Sequence, residues 1–408
     1  MVVAVESTSL TSRPAAQAYV GGVCFKLGPP RLIGAELEWL TEHHTPGSTR
    51  PTLASIAAAL GPHAPRSLAP DSPARPLPAG SLVTIEPGGQ IELSSAPCAS
   101  AHALCETLAA DEQVLRDLLS THSITARAAA ADTERSAQRL LQSPRYRAME
   151  ERFRAIGPFG TLMMCNTAAV QVSVDAGSDA AEIALRWNLL HTVGPALTAA
   201  FACSPRLRGI PPGTWASQRM RTWLELDPPR TAAAVDDSPD PIGDYARWVL
   251  DVPLLCVVRD GPCWTAPPDA TFGDWIDGAL DDEIDRRPTR GDLDYHLTTL
   301  FPPVRAVGHL EVRYIDAQPS GQWRLPIAAL DALLRSPATA REATDVVPAT
   351  RGRWRDAARD GLADPDFRSA AADLLFLAAE NATDRRHAAD LDAAARRCRR
   401  GHPPTEER

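Results

Sequence analysis

Arg31-Leu32-Ile33-Gly34-Ala35-Glu36-Leu37-Glu38-Trp39 is the stretch on which the fold reading turns. Side chains along an extended strand point alternately to its two faces, so residues two apart share a face. Ile33, Ala35, Leu37 and Trp39 then form an apolar face, and Glu36 and Glu38 stand together on the other. Three further stretches repeat the pattern. Glu92 sits between Ile91 and Leu93; Gln171, Ser173 and Asp175 alternate with Val170, Val172 and Val174; His309, Glu311 and Arg313 alternate with Leu310, Val312 and Tyr314.

A solvated sheet face explains any one of these strands taken alone. The exposed residue types argue for something more. Glu has weak strand propensity, and Lys and Thr, common on wet faces, are missing from these four. Acids sharing one sheet face repel unless a cation lies between them. Mg²⁺ suits such a place, because it takes oxygen ligands from a few carboxylates together with substrate phosphates. No G-x-x-x-x-G-K-[ST] loop occurs in the chain, so a bound ATP would be held by metal and arginines rather than by a phosphate loop.

Working outward, Pro87-Gly88-Gly89 reads as a tight hairpin between strands at Ser81 to Glu86 and Gln90 to Ser94. Further strands are expected at Leu32 to Leu40, Ala168 to Asp175, Leu254 to Arg259 and Gly308 to Ile315. Helices are expected at Ala101 to Ser120, Glu134 to Leu141, Tyr146 to Phe153, Ala180 to Ala202 and through much of Leu330 to Arg400. The proline-rich stretch from Pro46 to Gly80 reads as a loop with one short helix at Thr52 to Leu60. Hairpins mixed with long helices predict an α+β fold with an antiparallel sheet. One catalytic domain is expected over residues 15–400, braced by C-terminal helices from about 330, with flexible segments at 1–14 and 401–408.

The chain has 408 residues and a formal charge of -9, which gives no general attraction to nucleic acid or anionic lipid. No segment reads as a secretory signal or a membrane span, so no membrane partner is expected and the predicted location is the cytoplasm. The eight cysteines include no C-x-x-C pair and read as reduced thiols.

Several segments resemble glutamate-cysteine ligases of the plant-type and actinobacterial branch, which includes enzymes supplying ergothioneine synthesis. They are Gly34-Ala35-Glu36-Leu37-Glu38, Glu92-Leu93-Ser94-Ser95-Ala96-Pro97, Met164-Cys165-Asn166-Thr167 running to Asp175, Ser217-Gln218-Arg219-Met220-Arg221-Thr222-Trp223, Asp227-Pro228-Pro229-Arg230-Thr231, and His296 to Arg305 leading into Leu310-Glu311-Val312-Arg313. The resemblance implies a glutamine synthetase-like fold, a curved antiparallel β-sheet funnel covered by helices. It implies metal ligands at Glu36, Glu38, Glu92 and Glu311, with Glu38 and Arg313 also catalytic. Arg219 matches the arginine that grips the α-carboxylate of glutamate, although alone it reads equally as a surface arginine paired with an acid. Met164, Asn166, Thr167 and Arg230 are expected to bind substrate, and Gln171, Arg305 and Arg313 nucleotide.

The implied reaction is ATP-dependent ligation of L-glutamate, through γ-glutamyl phosphate, to the amine of L-cysteine, with Mg²⁺ as cofactor and ATP as cosubstrate. The sequence leaves open a different amine acceptor, a metal-dependent hydrolase, a non-catalytic binder of the same fold, and a monomeric or dimeric state.

Overall fold

The computed structural model describes residues 9–28, 31–44, 50–233 and 237–405. Most of the expected N-terminal flexible segment, the first part of the proline-rich loop and the last three residues lie outside the described residues. Seven strands are described: β1 (Ile33–His43), β2 (Leu82–Ile85), β3 (Ile91–Ser94), β4 (Ile124–Arg127), β5 (Ala169–Val174), β6 (Val304–Ala306) and β7 (Leu310–Asp316). They form one sheet in the order β2-β3-β1-β5-β7-β6, with β4 paired to the far end of β1. Every pairing is antiparallel. The fold is α+β with an antiparallel sheet, as the hairpin-and-helix order predicts.

The alternation read from β1 sets the register of the whole sheet. Ile33, Ala35, Leu37 and Trp39 are buried, and Leu37 pairs with Leu93 on one side and Val170 on the other. A fully buried Leu or Val contributes roughly 2 kcal/mol, so a slip by one residue would lose several such terms and bury the glutamates instead. With that register, Glu38 lies opposite Glu92, Glu36 opposite Ser94 and Gln171, and Glu311 opposite Ser173 and Arg305. The β5–β7 ladder shifts register between Val170 and Val172, at Gln171.

The apolar face is covered by the helix Ala180–Phe201, buried along nearly all of its second half. Tyr314 Oη on β7 donates to the Leu190 carbonyl at 3.2 Å, tying sheet to helix. At Gly194 an added Cβ would fall 2.0 Å from the Trp354 ring, so glycine is what lets the next helical layer approach. Behind it lie the helices Arg324–Leu333, Pro337–Asp345, Pro365–Asn381 and Arg385–Arg399, with Ala371, Leu374, Leu375 and Ala378 buried.

Two expectations are corrected. Residues 134–141 are not helical: Asp132 Oδ1 accepts the backbone N–H groups of Glu134 and Arg135, and Pro87 O accepts those of Leu140 and Leu141. Those amides bond across the fold instead of four residues back, which overrides the local pattern. Residues 254–259 form no strand. Pro253 and Cys256 make only isolated bridges, to Thr271 and Thr265, and Val257 N–H bonds back to Trp264 O within the same loop. At the N-terminus Leu10 is buried and Ser12 caps a helix Arg13–Cys24. Near the other end Gln322 Nε2 donates to Thr405 O at 2.7 Å. The short strands β4 and β6 were not foreseen; four and three residues carry too little alternation to read.

Candidate active site

The polar face of the sheet forms one wall of a cavity of about 320 Å³, lined by Glu36, Glu38, Glu86, Glu92, Gln171, Arg219, Arg305 and Arg313, with Met163, Met164, Thr167, Trp223 and Phe301 among the other lining residues. β1, β3 and the residue after β2 bring the acids; β6, β7 and a helix bring the arginines.

The acids are crowded. Gln171 Nε2 donates to Glu36 Oε2 at 3.1 Å and to Glu38 Oε1 at 3.0 Å, and the Ala169 N–H donates to Glu38 Oε2 at 2.9 Å. Thr84 and Ser94 hydroxyls both donate to Glu92 Oε1. Burial, reinforced by the Glu92 and Glu311 charges, pushes the Glu36 carboxyl up to about 8. Burial and then Glu86 push Glu92 to about 7 in spite of its two hydroxyl donors. Glu38 rises well above the ordinary range by burial, with Glu86 and Glu92 adding to it. Burial leads each shift and the neighbouring acids add to it, with the arginines across the cavity offsetting it only in part for Glu36 and Glu38.

Glu311 stands apart. Arg305 Nε and Nη2 donate to its two oxygens at 2.9 and 3.1 Å, and Arg313 Nη1 donates at 2.5 Å. Burial opposes its ionisation, but the two guanidiniums outweigh it and hold the carboxyl down at about 2. Its two oxygens accept from arginine, so it aligns both guanidiniums. It lies beside Glu36 and Arg305 along a neighbouring opening of the same sheet face.

Arg219 comes from the helix Gln218–Leu226, capped by Ser217, whose hydroxyl also donates to Asp316 at 2.8 Å. Asp316 further accepts from Ser204 Oγ at 2.7 Å and lies 3.8 Å from Arg219 Nη1. Arg219 Nη2 donates to the Arg313 carbonyl at 2.8 Å. Trp223, one turn on from Arg219, lies 5.9 Å from its guanidinium and 5.4 Å from that of Arg313, measured from the ring. The cation–π geometry fixes both arginines without spending their hydrogen-bond donors.

Four buried polar atoms of the residues lining this cavity have no hydrogen-bond partner among the described residues: Gln90 Oε1, Gln171 Oε1, Arg313 Nε and Trp223 Nε1. Uncompensated buried groups are costly, and several on one cavity wall point to a ligand that completes them. As a metal site the donors fit by chemistry, since Glu36, Glu38, Glu92 and the Gln171 amide oxygen are all hard oxygen ligands. Among the described residues no three His, Cys, Asp or Glu side chains converge as a preformed ion cage. Donors spread around a wall suit Mg²⁺ in particular, which takes few protein ligands and completes its octahedron with phosphates and water.

Two expected substrate residues do not reach the cavity. Asn166 is fully buried, accepting from Arg50 and donating to Arg135 O at 2.7 Å, so its amide is spent on the scaffold. Arg230, also fully buried, bonds Asp227 and the Thr299 and Pro253 carbonyls and clamps loops together. Thr167 lines the cavity, though its hydroxyl donates to Met163 O at 2.8 Å; Met164 lines it through apolar contact. Glu86 was missed, although Thr84 and Glu86 stand two apart on the face that carries Glu92, and that spacing could have revealed it. No helix among the described residues is long and apolar enough to cross a membrane.

Residues 32–408 match the family model described as glutamate-cysteine ligase family 2 (GCS2). The chain is 37% identical over 382 residues to glutamate-cysteine ligase EgtA of Mycolicibacterium smegmatis, covering 91% of this chain and 85% of that protein. It is 31% identical over 257 residues to a chloroplastic glutamate-cysteine ligase of Medicago truncatula, covering 59% of this chain and 47% of that one. A crystal structure of glutamate-cysteine ligase from Francisella tularensis in complex with AMP superimposes with a TM-score of 0.53 at 14% identity, covering 92% of this chain and 82% of that one, a likeness of fold. With its sheet, its acid-and-arginine cavity and a family match over nearly the whole sequence, the chain belongs to glutamate-cysteine ligase family 2.

Proposed function

We propose that this chain joins the γ-carboxylate of L-glutamate to the amine of L-cysteine at the expense of ATP, through γ-glutamyl phosphate, releasing ADP and phosphate. The observation that carries the reading is that Arg219, nearly fully buried, opens onto the same cavity as three uncompensated carboxylates and Arg313. A buried guanidinium facing a cavity needs an anion, and its planar fork suits the α-carboxylate of glutamate. Anchored through Asp316 and the Arg313 backbone, Arg219 would fix the amino acid so that its γ-carboxylate points toward Arg313.

Arg313 is placed to meet the transferred phosphoryl group. Glu311 aligns its guanidinium from one side and Trp223 from the other, while its unpartnered Nε remains for an incoming oxygen. Arg305, aligned by the same carboxylate, extends the positive side toward the nucleotide phosphates. Glu36, Glu38, Glu92 and Gln171 would hold Mg²⁺, which when bound neutralises phosphate charge and relieves the repulsion among the acids. Phosphoryl transfer of this kind rests on positioning and charge, so no protein nucleophile is required. The apolar wall of Met163, Met164 and Phe301 limits water at the reactive acyl phosphate.

We place the reaction in the cytoplasm, in the supply of a low-molecular-weight thiol such as ergothioneine. One chain supplies every lining residue named here, so a monomer suffices for the site. ADP release measured with glutamate and a panel of small amines tests the reading: release should require glutamate and favour cysteine. Release with every small amine alike would reject cysteine as the acceptor, and no glutamate-dependent release at all would reject the ligase reading.

A further inference from the structure

Asn166 belongs to a motif segment yet points away from the cavity, where its amide oxygen accepts from Arg50. The Arg50 side chain is only 8% exposed. Besides Asn166 it donates to Gly88 O and Ser136 O at 3.2 Å each, so one guanidinium joins three segments far apart in the chain. Burial works against the Arg50 charge, and neighbouring Arg135 adds to the cost. The one carboxylate within ion-pair distance among the described residues is Asp132, 3.7 Å away. That carboxylate is already served by Arg135 Nε at 2.6 Å and by the backbone N–H groups of Glu134 and Arg135. Arg50 is therefore not needed to neutralise Asp132. A cation kept buried at such a cost is explained by what its planar fork joins.

Both Gly88 and Asn166 carry cavity wall. Gly88 lies at the hairpin tip, between Glu86 and Glu92. Asn166 ends the helix Phe159–Asn166, which brings Met163 and Met164, and leads through Thr167 into β5, where the Ala169 N–H donates to Glu38 Oε2 at 2.9 Å. Hairpin and corner are in contact: a Cβ at Gly88 would overlap the Cys165 backbone, and Gln90 Nε2 donates to Met164 O at 3.3 Å and Thr167 O at 2.9 Å. We infer that Arg50 is a positioning residue. Stapling Gly88 to Asn166 from outside the cavity, it sets the spacing between the hairpin that carries Glu86 and Glu92 and the corner that carries Met164, Thr167 and the amide that aims Glu38. The inference rests on the ligase reading above for the activity it modulates, and Arg50 itself does not line the cavity. Arg219 and Arg313 stand on other elements, the helix Gln218–Leu226 and β7, and keep their places without it.

The test uses Arg50→Lys, which keeps the charge and removes the fork, and Asn166→Leu, which keeps the approximate volume and removes the acceptor. Misplacing reacting groups by about 1 Å costs on the order of a hundredfold in rate. In ADP-release kinetics per folded molecule, each variant should lower kcat at least about tenfold and leave the glutamate KM within about twofold. Because both act through one contact, the double variant should fall within about twofold of the poorer single. Arg50→Ala should recover at least about fivefold in kcat when guanidinium chloride is added at concentrations that leave the wild-type rate unchanged, and ammonium chloride should not substitute for it. Independently of turnover, hydrogen exchange at the Ala169 amide should be at least about tenfold faster in Arg50→Lys than in the wild type. The inference is overturned if a single variant keeps the wild-type kcat and merely melts earlier, if the two losses multiply, if the glutamate KM rises as far as kcat falls, or if Ala169 exchange is unchanged. Should Arg50→Ala fail to fold, the double-variant and exchange comparisons decide. Absence of ADP release by the wild type with glutamate and any amine rejects the ligase reading itself, and the exchange measurement then still decides the staple.

Discussion

Glu92→Gln should make the metal-free protein more stable at pH 8 while removing its activity. Burial and the neighbouring acids push the Glu92 carboxyl from 4.5 up to about 7. Each pKa unit corresponds to about 1.4 kcal/mol, so keeping this group ionised in the fold costs about 3 kcal/mol above pH 7. The side chain is only 6% exposed, so solvent screens little of that cost. Glutamine removes the charge and retains the contacts, since Thr84 and Ser94 both donate to Oε1, an atom the amide keeps. For a chain of this length the unfolding entropy is on the order of 0.9 kcal/mol per degree, so the melting temperature should rise by about 4 °C. The sign follows from linkage. A carboxyl whose folded pKa is raised binds more protons folded than unfolded between about 4.5 and 7, so wild-type stability falls as pH rises through that window and levels off above it. Thermal denaturation in EDTA should therefore show the variant ahead at pH 8 and equal to the wild type near pH 4.5. Adding Mg²⁺ and ATP at pH 8 should stabilise the wild type more than the variant, because a ligand stabilises only the fold that binds it. A variant destabilised at pH 8, or shifted equally at both pH values, would refute the claim that repulsion among the cavity acids is stored in the fold.

Arg219→Lys should raise the glutamate KM at least about tenfold, because a lysine cannot reproduce a forked contact to a carboxylate, and steady-state kinetics with varied glutamate will read it. Arg230→Ala should lower stability by about 3–5 kcal/mol by leaving Asp227 buried and unpaired, while the folded fraction keeps a wild-type glutamate KM; melting curves and kinetics on soluble protein separate the two. Glu311→Gln should lower kcat more than either KM, since it releases Arg305 and Arg313 without touching substrate. The stability that Glu311 contributes through its depressed pKa should be present above about 4.5 and lost as pH falls through about 2, visible as a wild-type acid transition that the Gln variant lacks.

The sheet was legible because one face of it is buried, and a buried face writes itself as alternation: the apolar positions of β1 and β5 could hardly mean anything else. The same alternation gave the acids their common side. Asn166 and Arg230 show where it stops. They belong to motif segments, yet which way such a residue faces depends on partners distant in sequence, Arg50 and Arg135 for one, Thr299 and Pro253 for the other. Residues 134–141 failed as a helix for a similar reason, their amides being claimed by Asp132 and Pro87. Glu86 escaped notice beside the hairpin because Pro87-Gly88-Gly89 announces a turn, and turn residues are ordinarily solvent-facing. Gly88 instead brings this hairpin against the Cys165 backbone and turns its acid inward.

The strand order has a directional consequence. Glu92, Glu38 and Glu36 stand on the β3 and β1 half of the sheet, Arg305 and Arg313 on the β6 and β7 half, and neutral Gln171 on β5 between them. The cavity floor is therefore polarised, with its acids toward the β3 side and its guanidiniums toward the β6 side. An extended polyphosphate laid on this floor would have one preferred heading, because reversing it would exchange the end beside the guanidiniums with the end beside the carboxylates. A fixed heading would decide which phosphorus faces the bound carboxylate before any chemistry begins, so the sheet's topology would act as a regiochemical selector as well as a scaffold.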